Sequence, residues 1–281
     1  MYADDVQIYL SFEENNLSFA QNKLNECLSK TKIWMDNKFF KLNPDKTTLK
    51  LFNFKNIHSD FKLQYNKITI QPVDSVKVLG ISLNKNLDIN SFISNKVKIG
   101  NFHLRNLWNI ESSLTMDTKI ILVTNLILSN IDYCNVLLYG STKKQLYPLN
   151  LLINKSVRFI FRISRRNHIT PYLKRVHFLP LCYRVKYKVC LLAYKIFKLH
   201  SPGYLAQHFK LYTPSTSTNL RQVGRDSYMF ETTLVDYKKR CLISGIKIEW
   251  NSLPLDIRKE QSKVIFKVKL KTFLFKNAFE C

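Results

Sequence analysis

Glycine is scarce, with six residues scattered through a chain of 281. A phosphate-cradling glycine-rich loop is therefore excluded, because it needs several glycines within a few positions of one another. The cysteines are equally dispersed: Cys27, Cys134, Cys182, Cys190, Cys241 and Cys281 show no paired spacing. That pattern argues against a disulfide framework and for a reducing, intracellular setting. His168, His177, Cys182 and Cys190 lie near one another in sequence, yet their gaps match no zinc-site spacing. Serine, histidine and aspartate occur without a local nucleophile motif, so a hydrolase has no support. The most apolar stretch, residues 120–138, is broken by Asn125, Asn130 and Asp132 and falls short of the ~20 apolar residues of a membrane span. No secretory signal precedes the first charges, Asp4 and Asp5.

The most informative absence is of acid. Lys and Arg number 44 against 20 Asp and Glu, a net charge of +24, and the excess is not evenly spread. Residues 1–50 carry seven acids and seven bases, and residues 51–132 carry six acids and nine bases. From Tyr133 to Arg225, 93 residues contain no Asp or Glu and 17 Lys and Arg. One-signed charge on this scale repels itself and is best tolerated when a polyanion supplies the countercharge.

Two helices are expected to carry this charge. At ~100° per residue, Lys155, Arg158, Arg162, Arg165 and Arg166 fall within about a third of a turn of one another. In a second helix over residues 184–199, Val185, Val189, Leu192, Ile196 and Leu199 form the apolar stripe, with Arg184, Lys188, Lys195 and Lys198 beside it. Tyr187 and Tyr194 flank that basic row and offer stacking faces, so phosphates could pair with the cations while bases met the rings. For either helix alone, a solvated basic face on an ordinary amphipathic helix is the competing reading, and membrane-surface or calmodulin-target behaviour is a third. The absence of acid across the whole stretch turns the balance toward nucleic acid.

At the other end, Val6, Ile8 and Leu10 alternate with polar neighbours at the period of a half-buried strand. Asp4 and Asp5 would stand at its start, at a hairpin tip where oxygen ligands can meet a hard cation. An acidic turn facing solvent is the plainer reading of that pair. Leu17, Ala20, Leu24, Leu28, Trp34 and Met35 recur at helical spacing and predict one helix over residues 17–37. A strand over residues 48–54, a hairpin over 62–70 and a further strand over 76–83 follow. Helix and antiparallel strands around a carboxylate turn predict an α+β unit, a partial palm made of an incomplete antiparallel sheet plus helix.

At this point the chain resembles the reverse transcriptases of non-LTR (LINE-type, jockey-like) retrotransposons, over nearly its whole length. Tyr2-Ala3-Asp4-Asp5 looks like the polymerase YxDD motif, and Trp34-Met35 with Leu42-Asn43-Pro44-Asp45-Lys46-Thr47 looks like the segment that follows it. Val78-Leu79-Gly80-Ile81 is similar to the primer-grip strand. Asp132-Tyr133-Cys134-Asn135, His168-Ile169-Thr170-Pro171, Leu179-Pro180, Trp250-Asn251-Ser252-Leu253-Pro254 and Ile257-Arg258 are similar to strings of that clade's thumb and C-terminal region.

The resemblance implies an RNA-directed DNA polymerase, a nucleotidyltransferase that extends a DNA primer on an RNA template, nuclear in setting. It implies catalytic roles for Asp4, Asp5 and Lys46, with Asp4 and Asp5 as Mg²⁺ ligands, and a primer grip at Leu79 and Gly80. The two-ion route needs carboxylates bridging two Mg²⁺ ions about 4 Å apart. In the family a further Asp from an earlier palm strand completes the set, and neither that strand nor the fingers is found here, so two adjacent aspartates alone are expected not to hold a catalytic pair. Lys46 would protonate the departing pyrophosphate, and it reads equally well as a turn lysine beside Asp45.

The expected organisation is a partial palm over residues 1–87, a helical basic thumb and connection region over 88–211, and a C-terminal region over 212–281. The helical part is announced by Ile93, Val97, Leu104 and Leu107, then by Ile120, Val123, Ile127 and Ile131 after a cap at Thr115. A Ser/Thr-rich linker with Pro214 opens the last region, which closes on a helix over residues 262–275 with Lys263, Lys267 and Lys271 along one face. The function predicted is the C-terminal fragment of a reverse transcriptase that retains nucleic-acid binding. A non-catalytic RNA- or DNA-binding module and an inert remnant are the alternatives.

Overall fold

A computed structural model of the chain describes residues 6–13, 16–41, 43–52, 61–65, 68–85, 87–209 and 241–280. Two compact units emerge, Met1–Asp88 and Ile89–Cys281.

The first unit is built on helix α1, Leu17–Asn37, at the bounds expected from its apolar spacing. Ala20 and Leu28 are buried, with Leu17 and Leu24 packed beside them, so one stripe at i, i+3 and i+4 steps faces the core. Trp34, expected on that stripe, is instead exposed. Phe39 ends the helix in the left-handed conformation at φ 59°, and the Phe40 amide donates back to the Met35 carbonyl at 2.9 Å, which satisfies a terminal carbonyl.

Two hairpins follow. Strands β1 (Leu63–Tyr65) and β2 (Ile68–Ile70) pair antiparallel with Leu63 opposite Ile70, and both of these side chains enter the core. Strands β3 (Ser75–Val78) and β4 (Ile81–Asn84) form a second, separate two-stranded sheet. The single strand expected over 76–83 is thus corrected to a hairpin. Leu79 and Gly80 at its centre have φ 46° and 83°, the paired positive values of a tight turn that folds a strand back on itself.

Two further expectations are corrected. Residues 6–10 are irregular, with Ile8 exposed. Among the described residues no strand runs beside them, so their amides and carbonyls have no ladder to join. Leu10 and Phe12 still pack on the core, Phe12 stacking on Phe61 with ring centroids 5.7 Å apart. Over residues 48–52, Leu49 and Leu51 point inward as a strand would have them, but pairing is limited to one parallel bridge from Leu49 to Pro72. Proline has no N–H to continue a ladder. Among the described residues this unit is therefore α+β in the plain sense of one helix with two small antiparallel sheets.

The second unit is helical among its described residues. Helix α2, Ile89–Asn109, buries Phe92, Ile93, Leu104 and Leu107. Thr115 caps α3, Met116–Leu122, by accepting a hydrogen bond from the Thr118 amide. The chain continues through a π-helical stretch, Val123–Leu128, into α4, Ser129–Asp132, and Val123, Ile127 and Ile131 are buried as their spacing requires. Helix α5, Lys143–Phe161, opens with a capping box, the Thr142 hydroxyl accepting from the Gln145 amide while the Gln145 side chain accepts from the Thr142 amide. That arrangement satisfies two orphan donors at once.

After the short α6, Thr170–Arg175, helix α7, Leu181–Leu199, runs through the core. A four-residue helix α8, Gly203–Ala206, precedes the undescribed segment 210–240. Helices α9 (Leu242–Asn251), α10 (Leu255–Arg258) and α11 (Lys263–Phe279) complete the unit, with α9 and α11 packed on α7. Their seam is aromatic: Tyr194 lies 4.4 Å from Phe266 and Phe197 lies 5.2 Å from Trp250, centroid to centroid. Each such buried ring contributes on the order of 1.5–3 kcal/mol. Among the described residues no helix is long and apolar enough to cross a membrane.

Candidate nucleic-acid interface

The basic residues named from sequence do not share one face. Helix α5 stops at Phe161, and Arg162 is its left-handed cap at φ 52°. Arg165 and Arg166 lie beyond it in an irregular loop, so the single five-residue row is corrected to two residues on the helix and three past its end. A residue with positive φ reverses the chain's course, which wheel geometry cannot anticipate.

Acids from outside the acid-free stretch then divide the cations into two groups. Arg162 grips Glu111 through both Nε and Nη2, and the buried Lys119 donates to the same carboxylate. Hydrogen bonding from Arg162, followed by that from Lys119, holds the Glu111 carboxyl down at about 2. Arg184 makes a two-point contact with Asp132, its Nε donating at 2.8 Å and its Nη2 donating to the second oxygen. Lys186 meets Glu249 at 3.4 Å. These bases are consumed in holding helices together.

A second group has no carboxylate partner among the described residues. Asn101, Arg105 and Trp108 stand at i, i+4 and i+7 on α2; Leu151, Lys155 and Arg158 repeat that spacing on α5. Both triplets therefore face one way from their helices. With Ile163, Ser164 and Arg165 of the following loop they line an open cleft of about 1100 Å³. Four cations, Arg105, Lys155, Arg158 and Arg165, surround it, and among the described residues no acid does.

Close helix packing brings the walls together. A Cβ on Gly100 would stand 2.3 Å from Leu152 Cδ2, so any larger residue there would have to displace the end of the Leu152 side chain from the α2–α5 seam. Trp108 is 48% exposed and rests against Phe159, ring centroids 5.1 Å apart with planes at 77°. Arg158 donates to the carbonyls of Arg165 and Asn167 at 3.4 Å each. Its buried Nε has no hydrogen-bond partner among the described residues. That nitrogen is buried, so an incoming anion would meet the far end of the guanidinium rather than Nε.

The α7 row also changes. Lys188, Lys195 and Lys198 have no ion pair among the described residues, and Tyr187 is half-buried. Tyr194, expected to flank the basic row, is 1% exposed and donates its hydroxyl to the Gln261 carbonyl. It is a core residue, so its stacking role is withdrawn. Leu199, expected inside, is exposed.

In the first unit, Lys46 occupies a turn capped by Asn43, whose Oδ1 accepts from the Asp45 and Lys46 amides at 3.0 and 3.3 Å. Its side chain is exposed. Leu79 and Gly80 form the exposed hairpin turn described above rather than the middle of a strand. Asp4 and Asp5 lie outside the described residues. Among the described residues no group of three or more His, Cys, Asp or Glu side chains converges as a metal site would require. Cys190 is buried, which pushes its thiol pKa up, and His177 lies against Phe275, at 5.3 Å between centroids.

Arg105 and Trp108 were not expected as site residues. Their spacing was visible in the sequence, beside Leu104 and Leu107, but that they face the α5 cations is set by helix pairing and has no local signal. Comparison with protein families, with characterised proteins and with solved structures finds no match for this chain.

Proposed function

We propose that this chain is the C-terminal portion of an RNA-directed DNA polymerase of the non-LTR retrotransposon type, whose helical unit binds nucleic acid and which does not catalyse nucleotidyl transfer by itself. The polymerase assignment rests on the resemblance of ordered short strings, from Tyr2-Ala3-Asp4-Asp5 to Ile257-Arg258. The binding assignment rests on one observation: four cations without carboxylate partners among the described residues gather around a tryptophan-lined cleft in a chain of net charge +24. Phosphates would replace the missing countercharge, releasing condensed ions as they bind. RNA template and DNA primer are the partners this reading implies.

In this reading Asp4 and Asp5 would hold Mg²⁺, whose chemistry is to stabilise the attacking 3′-oxygen and the departing pyrophosphate together. Mg²⁺ favours octahedral oxygen ligation and needs more than two adjacent carboxylates can give, so a further carboxylate must come from elsewhere. Primer extension on an RNA template with Mg²⁺ is the test. No incorporation is expected from this chain alone, and incorporation that disappears with Asp4→Ala would overturn the non-catalytic part of the proposal.

A second reading, a binding module without chemistry, is favoured by the separation of the two hairpins, which among the described residues leaves each sheet with two strands. Adding in trans a polymerase segment that carries a further palm carboxylate separates the two: extension favours the polymerase fragment, and none favours the module.

A further inference from the structure

We infer that the cleft between α2 and α5 receives an unpaired nucleotide of a single strand, its base lying on Trp108 and its phosphates among Arg105, Lys155, Arg158 and Arg165. This deepens the nucleic-acid reading above and rests on it. The cleft has two chemically distinct parts. Leu104, Leu151, Ile163 and the indole supply apolar wall, and the four cations stand beside it. A duplex keeps its bases stacked inside and offers a protein surface mainly phosphates and base edges, so it would use the cations and leave the wall unoccupied. An unpaired base has a free π-face and uses both parts.

The indole is suited to the task because it is held. Phe159, fully buried, fixes it at 5.1 Å while Trp108 remains 48% exposed. A ring already positioned loses little conformational entropy when a base stacks on it. The cleft, at about 1100 Å³, is ample for a nucleotide, since drug-sized ligands occupy sites of about 300–1,000 Å³. Asn101, Asn109 and Ser164 line it too and can donate or accept at a base edge.

Fluorescence anisotropy with the full chain, at one fixed salt concentration, tests the inference. The probes are a labelled single-stranded RNA, the same sequence as DNA, an abasic strand of equal length and a blunt duplex. The wild-type chain is expected to bind one or both base-bearing strands about tenfold or more tighter than the abasic strand, the size of one base stacked on an aromatic ring. Trp108→Ala should erase that preference while changing abasic and duplex binding by no more than about twofold, and Trp108→Phe should restore most of it. The RNA and DNA arms identify which strand the cleft takes. Equal wild-type affinity for base-bearing and abasic strands would overturn the inference without reference to any variant. So would a Trp108→Ala loss shared by all four probes, or displacement of the strand by micromolar nucleoside monophosphate, which would mark a small-molecule site. Binding of the duplex and abasic strand with no base preference defeats this inference alone; no binding of any probe defeats the parent reading as well.

Discussion

Arg162 and Glu111 meet across 51 residues of sequence in a two-point grip between the left-handed end of α5 and the turn that follows α2. Lys119 closes the cluster from α3. The loop bearing Arg165 and Arg166 begins immediately after this anchor, so the ion cluster sets where the cleft's far wall starts.

Acid should release this anchor. Glu111 is held below its ordinary 4.5, at about 2, by hydrogen bonds from Arg162 and then Lys119. Its folded-state pKa is depressed, so its contribution to stability is present above about 4.5 and is lost as pH falls toward about 2. Thermal melts of the wild type and of Glu111→Gln are expected to differ most near neutrality and to converge across that interval. A constant difference down to pH 2 would remove Glu111 as the titrating group.

Lys96 makes the opposite kind of prediction. It is 4% exposed, donates to the Asn130 carbonyl, and lies 4.6 Å from the Phe92 ring and 5.4 Å from the Tyr133 ring. Burial lowers its pKa, so the charged form weakens the fold and stability rises with pH through the folded-state pKa toward the ordinary 10.5. Lys96→Met keeps the volume without the charge. The variant is expected to melt at or above the wild-type temperature at neutral pH and to lack the wild type's gain on alkaline titration, both read by circular dichroism.

Gly245 lies against Tyr139, where an added Cβ would stand 2.1 Å from the ring's Cε1 and 2.5 Å from Cζ. An aromatic ring cannot swing away as a flexible chain end can. Gly245→Ala is therefore expected to destabilise the helical unit by about 1–3 kcal/mol, despite alanine's better helix propensity, in urea unfolding. A stabilised variant would contradict the packing at this point.

The Tyr194 assignment is checked by separating fold from binding. Tyr194→Phe removes the hydroxyl bonded to Gln261 but keeps the ring on Phe266. It should cost about 1 kcal/mol of stability and leave nucleic-acid affinity unchanged. A marked affinity loss in a fully folded variant would show that the hydroxyl reaches the ligand, contrary to its burial against Gln261.

The sequence disclosed features whose causes are local. The first half of helix α1 was legible because Leu17, Ala20, Leu24 and Leu28 at helical steps make its packed stripe, whereas Trp34, in the same spacing, is exposed. The Thr115 cap and the buried Val123, Ile127 and Ile131 row were visible for the same reason. The misreadings arose where a distant contact or one backbone angle decides. Val76 to Leu83 alternates as a single strand would, and only the positive φ of Leu79 and Gly80 divides it. Tyr194 looked like a flank of the basic row until α11 covered it. The acid-free stretch was legible as composition, but Glu111, Asp132 and Glu249 enter it from outside, and which cations remain for a ligand follows from tertiary pairing alone.

In the proposed function the cations around the α2–α5 cleft meet phosphates. The most direct measurement is the slope of log K against log salt for single-strand binding by the wild type and by the Arg105→Ala, Lys155→Ala, Arg165→Ala triple variant. Each lost phosphate contact should lower the slope by ~0.7 on a single strand, so the triple variant is expected to be shallower by about 2 with its fold intact. A wild-type slope near zero, or a triple variant as steep as the wild type, would contradict the account.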